Sequence, residues 1–105
     1  MIQKSINLQK TQSLLMELIP EALSQLNDNR INSLVITEVD CRNGKYDANV
    51  YFDASGLSNL ELQNVMQLLK KANGRIKNHC LNATSWYKCP NFVFCKDSNQ
   101  IEGLK

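Results

Sequence analysis

The sequence predicts a small α+β domain, a three-stranded sheet covered on one face by helices, in the order helix, strand, strand, helix, bend, helix, strand. Three observations predict it. Apolar residues recur at helical spacing in two long stretches, about 5–26 and 62–81. Between them stand two short runs rich in β-branched and aromatic residues, parted by an Asn-Gly step. A last such run, Phe92 to Cys95, follows Pro90.

The first helix carries Leu8, Leu15, Leu18, Ile19, Leu23 and Leu26 on its apolar side. Pro20 lies within this pattern, where it removes a backbone donor and disfavours the helical conformation at Ile19, so a kink or break is expected there. Asn27-Asp28-Asn29 is a polar stop. Leu34 to Cys41 and Asp47 to Phe52 read as strands joined through Arg42-Asn43-Gly44-Lys45. Asn-Gly favours positive φ and signals a hairpin. Ala48, Val50 and Phe52 share one face of the second strand, while Asn49, Tyr51 and Asp53 mark the other as wet.

Ser58 or Asn59 suits the start of the second helix, with Glu61 in its first turn, where negative charge complements the helix dipole. Leu62, Val65, Leu69, Ala72 and Ile76 form the stripe that faces a sheet. Gly74 interrupts it, at a cost of about 1 kcal/mol relative to alanine. Ile76, Cys80 and Leu81 then resume the spacing. Two helices joined by a tight bend at Ala72-Asn73-Gly74 are expected, long enough to return the last strand parallel to a neighbour by a right-handed crossover.

A chain of 105 residues has room for one domain, residues 1–105, and its 43% hydrophobic content argues against disorder. No apolar run reaches the roughly 20 residues of a membrane span, and no long apolar block opens the chain, so a soluble cytoplasmic protein is expected. The net charge is only +2, but its distribution is uneven. Between Glu61 and Asp97 there is no acidic residue, while Lys70, Lys71, Arg75, Lys77, Lys88 and Lys96 fall inside. A basic region on a near-neutral chain is the footprint of a polyanion binder. A solvated lysine-rich helix face is the plainer reading of the same charges.

Cys41, Cys80, Cys89 and Cys95 form no C-x-x-C pair and His79 is the single histidine, so packing rather than metal or disulfide roles is expected. No cofactor is implied. Asp40, Asp47 and Asp53 are the nearest approach to an acid–base cluster, which strand-edge solubility explains more cheaply, and no catalytic activity is expected. Trp86 and Tyr87 fit core packing better than base stacking. Asn82-Ala83-Thr84 matches a glycosylation sequon that has no meaning in the cytoplasm.

Five landmarks occur in order: Asp28-Asn29-Arg30, Ile36-Thr37-Glu38-Val39, Ala48-Asn49-Val50-Tyr51, Lys71-Ala72-Asn73-Gly74-Arg75-Ile76, and Pro90-Asn91-Phe92-Val93-Phe94 running to Asp97-Ser98. Together they resemble the ribosome-binding factor A family, from about Leu14 to Gly103. The resemblance implies a type II KH-like domain, with Ala72-Asn73-Gly74 standing as the family's Ala-x-Gly kink. It departs from the family in having Asn29 where proline is common, and in a first helix offering only Lys4 and Lys10 as basic residues.

The resemblance further implies a bacterial maturation factor that binds immature 30S subunits and their 16S rRNA transiently, assists late rRNA processing and folding alongside other assembly factors, and leaves before translation. Lys70, Lys71, Arg75, Lys77 and Arg30 would neutralise phosphates, with Asn73, Asn78, His79 and the Gly74 backbone adding hydrogen bonds. A monomer without membrane association is expected. The rival class is a protein-interaction adaptor that does not bind RNA.

Overall fold

The computed structural model describes residues 2–41, 47–84, 86 and 89–97. Its elements are α1 (Ile2–Ser24), β1 (Ile36–Asp40), β2 (Asp47–Phe52), α2 (Asn59–Ala83) and β3 (Asn91–Lys96). The expected Asn43-Gly44 turn, Tyr87, Lys88 and the segment after Asp97 lie outside the described residues.

Two expectations are corrected, both about helix breaks. Pro20 does not break α1, which stays helical to Ser24. Leu15, Leu18 and Ile19 before the proline and Ala22 and Leu23 after it are all buried in one core. Burying each large side chain is worth roughly 1.5–3 kcal/mol, so packing on both sides offsets the ~3 kcal/mol that proline costs a helix.

The second correction concerns Ala72-Asn73-Gly74. No turn separates two helices there; α2 is one helix of 25 residues. Val65, Leu69, Ala72, Ile76 and Cys80 keep a single buried stripe across the glycine. The ~1 kcal/mol that glycine costs is too small to interrupt a helix anchored on both sides of it. Gly74 does not adopt the left-handed conformation, and a Cβ built on it meets nothing within 4 Å. Gly74→Ala is therefore expected to raise stability by up to about 1 kcal/mol in chemical denaturation.

At its start α2 has a capping box. The Glu61 amide donates to Ser58 Oγ at 3.2 Å, and the Ser58 amide donates to Glu61 Oε1 at 3.0 Å. These bonds satisfy amides that a helix start leaves without carbonyl partners, and they hold the Glu61 carboxyl below its usual pKa.

The sheet order is β1-β2-β3, with β1 antiparallel and β3 parallel to β2. A bulge at Thr37 decides which side chains β1 buries. Ile36 pairs with Phe52 and Val39 with Val50, although the two β1 residues are three apart. In a regular strand such residues face opposite ways; the extra residue turns both inward. Ala48, Val50, Phe52, Phe92 and Phe94 complete the inner face, and the helix stripes close over it in one cluster. Phe92 and Phe94 meet edge to face at 6.4 Å. Val93 between them is 48% exposed on the outer face.

Candidate nucleic-acid interface

An α-helix turns about 100° per residue, so the stripe that α2 buries also fixes what it shows to solvent. Lys70, Lys71, Gly74, Arg75 and Asn78 lie on the opposite half and are exposed. The cations fall in two rows on either side of Gly74. On the β3 side stand Lys70 and Lys77, because on that flank Asn73 Nδ2 donates to the Phe92 carbonyl at 3.1 Å and Lys77 Nζ donates to Asn91 Oδ1 at 3.0 Å. On the α1 side stand Lys71 and Arg75, toward the His79 Nε2–Glu21 Oε1 contact of 3.1 Å that joins the two helices.

Lys71 and Arg75 are one helical turn apart, where like charges cost a few tenths of a kcal/mol. No carboxylate on α2 beyond Glu61 relieves them, since the sequence has none from 62 to 96. The exposed half of α2 is therefore locally cationic.

Not every predicted residue joins this face. Asn73 is half-buried and spends its amide on the Phe92 carbonyl, tying the helix to the edge strand β3. Arg30 stands apart, beside a cleft shared with Glu61 and Asn64 at the other end of α2. Its guanidinium forks onto Asp28, Nε to Oδ1 at 3.0 Å and Nη2 to Oδ2 at 2.9 Å. That pair holds the Asp28 carboxyl below its ordinary pKa and leaves the arginine largely neutralised. The Asp-x-Arg spacing was the signal for it, since an aspartate in a turn commonly accepts from the residue two positions on.

The remaining candidates fall into structural roles. Trp86 is half-buried against the core. Cys41, Cys80 and Cys89 are buried, and Cys95 is partly so. The free Cys80 thiol donates a hydrogen bond to the Cys89 sulfur, which raises the Cys80 pKa and lowers that of Cys89. Asp47 and Asp53 sit at opposite ends of β2, so the three aspartates do not form one site. None of the helices among the described residues is long and apolar enough to cross a membrane.

Comparison with known proteins agrees with the landmarks. The family model described as ribosome-binding factor A matches residues 7–105. A ribosome-binding factor A of Wolinella succinogenes is 52% identical over 99 residues, covering 94% of this chain and 83% of that protein. One from Helicobacter pylori strain 26695 is 38% identical over 97 residues, covering 92% and 82%. Among solved structures, the crystal structure of ribosome-binding factor A from Thermus thermophilus superposes with a TM-score of 0.72 at 16% identity, over 85% of this chain and 93% of that one, a likeness of fold. A putative ribosome binding factor A from Thermotoga maritima, solved by solution NMR, gives 0.71 at 25% identity over 85% of each chain. With a family model spanning nearly its whole length and a relative sharing half its residues, the chain belongs to the ribosome-binding factor A family.

Proposed function

We propose that this protein binds immature 30S subunits through their 16S rRNA, transiently and without catalysis, and assists late rRNA processing and folding. The observation that carries the reading is the exposed half of α2, where four cations flank Gly74 on a helix with no acidic residue after its first turn. Lysine and arginine so placed neutralise backbone phosphates and release counterions, which gives affinity with little sequence reading. Occupying one rRNA arrangement shifts its population at the expense of a premature one, and differential affinity is all that this requires.

On this reading Lys70, Lys71, Arg75 and Lys77 contact phosphate, Asn78 and the Gly74 backbone lie within reach of the RNA, and Asn73 and Arg30 act mainly by holding structure. The antiparallel hairpin with a parallel third strand returned by α2 is taken as a type II KH-like variant in which the Ala-x-Gly step stays helical. The protein works as a cytoplasmic monomer, with other assembly factors as neighbours on the particle.

Sedimentation with small subunits, large subunits and mature ribosomes tests the proposal. Selective co-sedimentation with immature small subunits is expected, with affinity falling on the order of a hundredfold between about 50 and 200 mM salt for four phosphate contacts. Binding that survives high salt and nuclease treatment would instead establish a protein-interaction adaptor.

A further inference from the structure

The two cation rows on α2 are separated by a crest with a chemistry of its own. Gln63, Gln67, Gly74 and Asn78 all lie within about 60° of arc around the helix axis and are exposed. Lys70 and Lys77 border this strip on the β3 side, and Lys71 and Arg75 border it on the α1 side. The crest runs for about 22 Å along the axis, from Gln63 to Asn78. No charged or large apolar residue stands on its centre line between Gln67 and Asn78, and between these two amides Gly74 leaves open space, with nothing within 4 Å of a Cβ built there.

From this juxtaposition we infer that α2 is built to lie along the shallow minor groove of double-helical RNA, its amide crest facing 2′-hydroxyls and its two cation rows facing the phosphates of the two strands. The inference rests on the RNA-binding reading and narrows it to a duplex. A single strand presents one line of phosphates, which one row of cations would follow. Two rows set roughly a helix diameter apart, about 10 Å, match a surface with two phosphate lines. The crest is convex, which suits a groove and not a flat stacking platform. The exposed half of α2 has no aromatic side chain on which an unpaired base would stack.

Primary amides both donate and accept, as 2′-hydroxyls do, and A-form RNA displays those hydroxyls in a wide, shallow minor groove. The missing side chain at Gly74 lets the floor of that groove approach the helix backbone.

Affinity is measured for three probes of one sequence: an RNA duplex of about 16 base pairs, the RNA single strand, and the DNA duplex. The RNA duplex is expected to bind about tenfold tighter than either of the others at moderate salt. In the triple variant Gln63→Ala, Gln67→Ala, Asn78→Ala that margin is expected to shrink to about twofold while the salt dependence stays unchanged, because only hydrogen bonds are removed. Alanine at three exposed helical positions preserves the fold. A single strand or DNA duplex bound as tightly as duplex RNA would overturn the inference while leaving RNA binding in place. Failure to bind any of the three, in a protein that still co-sediments with small subunits, would overturn it as well. Loss of co-sedimentation is the separate result that strikes the parent reading.

Discussion

Replacing Lys70, Lys71, Arg75 and Lys77 together with alanine is expected to weaken binding to small subunits by on the order of a hundredfold at low salt. The same variant should flatten the logarithmic salt dependence by three to four, about one for each phosphate no longer neutralised. Stability should hardly change. Lys70, Lys71 and Arg75 are exposed, alanine is the best helix former, and the Lys71–Arg75 repulsion disappears. Against that stands only the Lys77–Asn91 hydrogen bond, an exposed interaction worth little. Circular dichroism should therefore give an almost unaltered melting curve while sedimentation shows the weakened binding. Unchanged co-sedimentation at moderate salt would refute the assignment of this face.

Phe52→Ala is expected to do the opposite. Phe52 is fully buried at the end of β2, paired with Ile36 and part of the single core cluster to which both helices contribute. Truncating such a phenylalanine costs about 3–5 kcal/mol, a large share of the 5–15 kcal/mol that holds a domain of this size together. A fall in Tm of at least about 12 °C follows, readable by differential scanning calorimetry. The cation face is untouched by this change, so the fraction that remains folded at low temperature should bind subunits with the parent salt dependence. A melting temperature within a few degrees of the parent would mean that the sheet and helices do not share one core.

The architecture was legible where burial is periodic. The inner face of β2, the Phe92/Phe94 alternation and the α2 stripe all follow from spacing alone, and Ser58 and Glu61 announced their own cap. The break at Pro20 and the turn at Gly74 were overestimated for one reason. Local propensity assigns each a penalty, but tertiary burial on both sides of the residue, which no local window contains, outweighs it. Thr37 was equally silent, because a bulge is set by the partner strand.

At the candidate site Lys70, Lys71 and Arg75 are exposed on one helix, although the bend expected from sequence parts Arg75 from the two lysines. Spacing did not separate residues that face outward from those already engaged. Asn73 is only 100° from Ala72 and turns toward β3, and Arg30 has a carboxylate partner two residues away. Both are facts of neighbourhood, and the charge pattern treats such residues as equivalent to their free counterparts.

The hydrogen bond from Lys77 to Asn91 has one more consequence. A surface lysine surrenders up to about 2 kcal/mol of rotational freedom when an encounter freezes it. Lys77 has relinquished part of that already, in the folded protein, with its ammonium parked at the margin of the sheet. On the duplex reading it would meet a phosphate with less freedom left to lose than Lys70 in the same row, so along that flank Lys77 rather than Lys70 should set where the backbone comes to rest.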